Sequence, residues 1–228
     1  MLTKHFLKVM QSIGGEYSRD DFIIVDPKFG GERKSAYAKD NLYTFLIDNS
    51  PYWSKYPKRS KSIICATTIE KAAMYGYSVY IVFPVNGSKV AQSSGDDLWH
   101  SFYRTVSSLG TFAENIKAVI HGDITFDGFG LPYDVSTYEN VKKTFKRFDD
   151  LMKTHKLTSA EENWLIYLNW WKEYKGNLLE TLQKMMKPER NHITLKNVGE
   201  YLEANREVWT DGLSVMVKLE NEDLIKNI

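Results

Sequence analysis

Residues able to do chemistry concentrate between residues 57 and 102. The segment begins with a cationic and hydroxyl-bearing cluster, runs through an apolar strand pattern to Thr67 and Thr68, and closes on the acidic pair Asp96 and Asp97. Polar groups at the edge of a buried strand need partners, and core packing alone explains poorly why so many occur in one place. The pattern indicates a binding or catalytic site.

Three parts of this segment resemble the core of ADP-ribosyltransferases. Ala66-Thr67-Thr68 lines up with the Ser-Thr-Ser pattern of the toxin branch, and Lys71-Ala72-Ala73-Met74-Tyr75 with the Lys-Ser-Ala-x-Tyr pattern of the poly(ADP-ribose) polymerase branch. The apolar run 79–84 and the acids that follow it are similar to the family's approach to its catalytic acid. Short phrases at 59–65 and 97–99 also resemble segments of bacteriophage proteins.

The chain departs from the family pattern at three positions. Thr44 stands where the toxin-type pattern has an arginine, and the polymerase-type pattern a histidine, after a Leu-Tyr strand. Asp96 or Asp97 stands where the family usually has a glutamate, and Ala72 replaces a hydroxyl residue. These departures bear on whether catalysis is retained.

The resemblance implies that NAD is a substrate and that ADP-ribose passes to a macromolecular acceptor, which we expect to be a protein. Cleavage of the nicotinamide–ribose bond develops positive charge on the sugar, and a carboxylate aimed at that sugar stabilises the transition state. Fork-shaped cations bind pyrophosphate, and aromatic faces stack on nicotinamide. The resemblance assigns catalysis to Asp96, Asp97 and Thr67, and NAD binding to Arg59, Ser62, Tyr75, Tyr43 and Thr44.

Each of these residues also has a structural interpretation. Thr67 and the two aspartates precede helical patterns, where hydroxyls cap a helix and acids favour its dipole. Two other functions therefore stay open. One is a non-catalytic phage structural or host-interaction protein that keeps the fold. The other, which we favour less, is a nucleic-acid-binding module that uses the basic segment 55–61 and the aromatic helix predicted over 160–174.

Composition narrows the function classes. The 228 residues carry 30 basic and 29 acidic side chains, so no global field draws the chain to nucleic acid or an acidic membrane. Apolar runs such as 79–85 are far shorter than the roughly 20 residues of a membrane helix, and the single cysteine, Cys65, fits a reducing compartment. The five histidines show no metal-ligand spacing. We expect a cytoplasmic protein, in the host cytoplasm if phage-encoded, with no membrane partner and no metal.

The predicted elements change near residue 130 from a mixture of strands and helices to helices alone. Before it, the patterns predict a helix over 3–13, strands over 22–25, 42–47, 63–66, 77–83 and 89–92, and a helix over 69–75. After it, they predict helices over 138–153, 160–174, 178–186 and 196–205. We therefore predict an α+β fold, with a small mixed or antiparallel sheet core in residues 1–130 and a helical subdomain in residues 131–228.

Overall fold

The computed structural model describes residues 7–10, 22–30, 41–74, 78–102, 134–154 and 175–220. The strands are β1 Leu7–Met10, β2 Phe22–Val25, β3 Ile63–Ala66, β4 Val79–Pro84, β5 Lys89–Gln92, β6 Thr194–Asn197, β7 Glu207–Thr210 and β8 Ser214–Lys218. The α-helices are α1 Leu42–Asp48, α2 Ile69–Ala73, α3 Leu98–Ser101, α4 Tyr138–Thr154 and α5 Leu178–Met185. Short 3-10 turns cover Pro51–Trp53, Arg59–Lys61 and Glu189–Asn191.

The described strands form one antiparallel sheet in the order β2-β8-β4-β1-β3-β7-β5-β6. Every pairing between neighbouring strands is antiparallel. The predicted α+β class with an antiparallel sheet is therefore confirmed. Within the described residues, no helix is both long enough and apolar enough to reach across a bilayer.

One face of the sheet carries an apolar core. Its buried members alternate along the strands, as the period of two requires. They are Ile63, Cys65, Tyr80, Val82, Val90, Val208 and Met216. Side chains next to them in sequence, including those of Ala66 and Trp209, therefore project from the opposite face.

The chain divides into two compact units that interleave along the sequence. The sheet unit comprises residues 1–33, 54–101 and 191–228, and the helical unit comprises 34–53 and 102–190. This division differs from the predicted boundary at residue 130, because β6, β7 and β8 return from the C-terminal part of the chain to complete the sheet.

The helical unit contains two predicted helices that the structure confirms, α4 and α5. The Asn177 side chain caps α5 by accepting a hydrogen bond from the Glu180 amide at 2.9 Å. Asp149 of α4 accepts from the Leu178 amide at 2.9 Å. Two amides of the first turn of α5 are thus satisfied by side chains. The predicted helix 160–174 lies outside the described residues.

Three predicted elements are wrong. Residues 7–10 form β1 rather than a helix, because pairing with β3 and β4 on both sides overrides their helical spacing. Residues 42–47 lie in helix α1, where Leu42 and Leu46 are buried one turn apart. The predicted helix 196–205 is replaced by the end of β6 and a turn at Gly199, whose φ is 92°.

Candidate functional site

The candidate site lies where β3 ends beside the start of β7. Ala66 is the register partner of Glu207. Thr67, one residue further, continues the pairing: its amide donates to the Arg206 carbonyl at 3.0 Å. The Arg206 amide in turn donates to Thr67 Oγ1 at 2.9 Å. Hydrogen bonds with the backbone of Arg206 thus fix Thr67 at the end of β3.

The loop 93–97 is tied to the same place. The Ser93 amide and the Ser93 hydroxyl both donate to the Glu207 carbonyl, each at 2.9 Å. The Glu207 amide donates to the Gly95 carbonyl at 3.1 Å, and the Arg206 guanidinium donates to the Ser94 carbonyl. The backbone of Glu207 is therefore held from the loop side as well as from β3.

A buried ion pair occupies the centre of this region. Arg59 Nη1 lies 2.6 Å from Glu207 Oε1, and the two side chains are only 8% and 11% exposed. The guanidinium carbon lies 5.2 Å from the ring centroid of Trp99 and 5.4 Å from that of Trp209. Glu207, opposite Ala66 in register, projects from the face of the sheet away from the apolar core.

The two predicted catalytic aspartates have different surroundings. Asp96 binds Lys71 Nζ at 2.7 Å and His100 Nδ1 at 2.9 Å. Hydrogen bonds from Lys71 and then His100 lower the pKa of Asp96 to about 2, so this carboxylate is ionised at neutral pH. Asp97 Oδ1 accepts from the Trp99 amide at 2.8 Å, which places Asp97 at the start of α3.

The structure brings part of the predicted site together. Arg59 contacts Glu207 directly, Thr67 bonds the residue before it, and Asp96 follows Gly95, whose carbonyl accepts from the Glu207 amide. Ser62 directly follows the 59–61 turn, and its hydroxyl donates to the Lys58 carbonyl at 2.6 Å.

The remaining predicted positions belong to the helical unit or lie outside the described residues. Tyr43 and Thr44 belong to α1 of the helical unit, where Thr44 is buried. Tyr75 lies outside the described residues. Thr68 stands at the N-cap of α2, and its side chain makes no capping bond to that described helix. Among the described residues, no group of three or more acidic, histidine or cysteine side chains is arranged to hold a metal ion.

Sequence reasoning missed Glu207 and Trp209. The run Val208-Trp209-Thr210 is typical of a strand, and Asp211-Gly212 is a strong turn signal between it and the apolar run of β8. These signals predict a strand, but they do not show which strand it joins. The pairing of β7 with β3 is what brings Glu207 to Ala66.

This arrangement holds a carboxylate in a water-shielded place, with Arg59 balancing much of its charge. A carboxylate paired with a fixed cation and shielded from water keeps its orientation, and a preorganised charge in such a place acts strongly on charge that develops in a bound substrate. Comparison with protein-family models, curated proteins and solved structures found no match.

Proposed function

We propose that this chain is an ADP-ribosyltransferase and that its reactive carboxylate is Glu207. The observation that carries the proposal is the register of β3 with β7, which sets Glu207 opposite Ala66 and next to Thr67. Ala66-Thr67-Thr68 is the stretch that resembles the family's hydroxyl pattern. A glutamate beside that stretch supplies the acid that the family usually carries and that Asp96 and Asp97 match only with a shorter side chain.

The chemistry requires one bond to break and one to form. The nicotinamide–ribose bond breaks with its electron pair going to nicotinamide, which leaves as a neutral ring. The acceptor nucleophile then bonds to the ribose carbon and loses its proton to the medium. Glu207 stabilises the positive charge on the ribose between these events, and the Thr67 hydroxyl accepts from the amide of Arg206, the residue before Glu207.

One observation favours the non-catalytic alternative. Arg59, Thr67, Asp96 and Asp97 each have a protein partner within the described residues. Groups that satisfy one another serve a structural role without a ligand. An interaction protein that keeps this fold would retain the same contacts and would not turn over NAD.

Labelled NAD separates these functions. The full chain is incubated with NAD labelled in its adenylate phosphate, with and without cell lysate, and compared with Glu207→Gln and with Asp96→Asn as a matched loss of a carboxylate. We expect transfer or NAD hydrolysis by the wild type, a fall of about 100-fold in Glu207→Gln, and little change in Asp96→Asn. Circular dichroism checks that each variant is folded.

Two results would contradict the proposal. Loss of activity in Asp96→Asn with activity kept in Glu207→Gln would move the reactive carboxylate to the loop 93–97. A wild-type chain that neither consumes NAD nor binds it in calorimetry at millimolar concentration would support the interaction protein. Binding to nucleic acid with a steep salt dependence would instead favour the nucleic-acid module.

A further inference from the structure

We propose that Arg59 is a positioning residue that orients Glu207, and that Trp99 and Trp209 hold its guanidinium for that purpose. This inference rests on the proposed function. The sequence analysis assigns Arg59 to the pyrophosphate of NAD. The contacts favour a different role, because Nη1 lies 2.6 Å from Glu207 Oε1 as a close ion pair without hydrogen-bond geometry, and the Arg59 side chain is only 8% exposed.

Two indole rings lie close to the guanidinium. Their centroids lie 5.2 and 5.4 Å from its central carbon, within the range of cation–π attraction. Each ring has an anchor of its own. Trp209 Nε1 donates to the Pro57 carbonyl at 3.0 Å, and Trp209 lies in β7 between β3 and β5. The Trp99 amide is held by Asp97. The cation is thus placed by groups that are themselves fixed.

The energetics favour orientation over stability as the reason for the ion pair. The cost of removing two charges from water offsets most of their attraction, so a buried pair contributes little net stability compared with apolar side chains of similar volume. Arginine nevertheless offers a rigid planar fork that fixes a carboxylate in one direction. A chain that needs Glu207 in one rotamer gains from such a partner.

The backbone contacts of Glu207 leave this task to Arg59. Ser93 and Gly95 fix the main chain of Glu207, and register with Ala66 fixes the face from which the side chain projects. Neither contact sets the direction of the carboxylate. The ion pair with Arg59, in which Nη1 lies 2.6 Å from Oε1, is the side-chain contact that can limit where this carboxylate lies.

The experiment measures kcat and KM separately for NAD hydrolysis by the full chain. The variants are Arg59→Lys, Arg59→Met and Glu207→Gln, with Arg190→Met, an exposed arginine of the helical unit, as the control. A positioning role predicts that kcat falls about 10- to 100-fold in Arg59→Met, while KM changes by less than about threefold. Arg59→Lys keeps the charge without the fork and is expected to recover part of kcat.

Other outcomes overturn the inference. A rise in KM with kcat unchanged would assign Arg59 to direct pyrophosphate binding, and unchanged values for both would leave it a structural role only. If Arg59→Met fails to fold, Arg59→Lys carries the same comparison. If the wild type is active and neither Arg59→Lys nor Arg59→Met changes kcat or KM, this inference alone is contradicted. If the wild type neither turns over nor binds NAD, the proposed function is contradicted and the inference falls with it.

Discussion

At the scale of single residues, the ion pair between Arg59 and Glu207 has the largest energetic consequence. Removing one partner leaves the other charge buried and uncompensated. We expect Arg59→Met to lower the free energy of unfolding by about 3–5 kcal/mol, and the double variant Arg59→Met/Glu207→Gln to lose clearly less. Urea unfolding of the wild type, Arg59→Met, Glu207→Gln and the double variant provides the four free energies of this double-mutant cycle.

An exposed ion pair supplies the control for this cycle. Lys146 and Asp150 pair one turn apart on α4, with side chains 75% and 54% exposed. We expect Lys146→Met to have nearly the same free energy of unfolding as the wild type, since exposed ion pairs contribute little to stability. A loss in the double variant equal to the sum of the losses in Arg59→Met and Glu207→Gln would show that the two charges are not coupled.

Asp96 makes the free energy of unfolding depend on pH in the acid range. The folded-state pKa of Asp96 is about 2, below the ordinary 3.8, chiefly because Lys71 bonds the charged form. A lowered pKa means that the contribution to stability is complete above pH 3.8 and is lost as the pH falls toward 2. After discounting for a side chain that is 43% exposed, the contribution is about 1 kcal/mol.

Denaturant unfolding between pH 2 and 6 measures this contribution. We expect the wild type to exceed Asp96→Asn in stability above pH 4, and the two to converge near pH 2. Lys71→Met should likewise remove most of the difference, because Lys71 is the main cause of the shift. A gap between wild type and Asp96→Asn that widens as the pH falls would contradict the assignment.

At the scale of elements, the turn between β7 and β8 requires glycine. A Cβ at Gly212 would lie 2.1 Å from Ser88 Oγ and 2.5 Å from Ser88 Cβ. Gly212→Ala is therefore expected to lower stability by about 1–3 kcal/mol through overpacking. Thermal unfolding measures the change, and Ser88→Gly in the same chain should restore part of it.

Gly30 is the matched control for Gly212. A Cβ at Gly30 meets only the Pro27 carbonyl, at an ordinary 3.6 Å. We expect Gly30→Ala to unfold within about 0.5 kcal/mol of the wild type. Similar losses at both glycines would show that the approach of Ser88 is not what restricts residue 212.

The elements show which parts of the fold the sequence could predict. The strands at 22–25, 63–66 and 89–92 are confirmed because β-branched and apolar residues end at clear turns. Leu7–Met10 was mistaken for a helix because four residues carry too little periodicity to outweigh pairing on both sides. The same limit applies to the site: Arg59, Thr67 and Asp96 stand close in sequence, whereas Glu207 joins them only through strand register.

At the scale of the whole molecule, the last two strands stand inside the sheet rather than at its edge. β7 lies between β3 and β5, and β8 lies between β2 and β4. A chain that ends at residue 205 would leave four described strands without a neighbour on one side. We expect it to lose cooperative unfolding and amide protection in β3 and β4, measured by hydrogen exchange against the full chain.

Protection of β3 and β4 equal to that of the full chain would contradict this expectation. It would mean that β1, β3 and β4 form a stable unit without the two later strands. Pairings between strands distant in sequence, such as β3 with β7 and β2 with β8, instead favour slow folding.

The placement of β7 has a consequence for the timing of synthesis. Glu207 leaves the ribosome after six of the eight described strands, and the same strand that carries it also bridges β3 to β5. An interrupted translation product that stops before this strand has neither the acid nor the closed sheet. Synthesis of β7 and the onset of the proposed chemistry would therefore coincide, so that shorter products would not consume NAD.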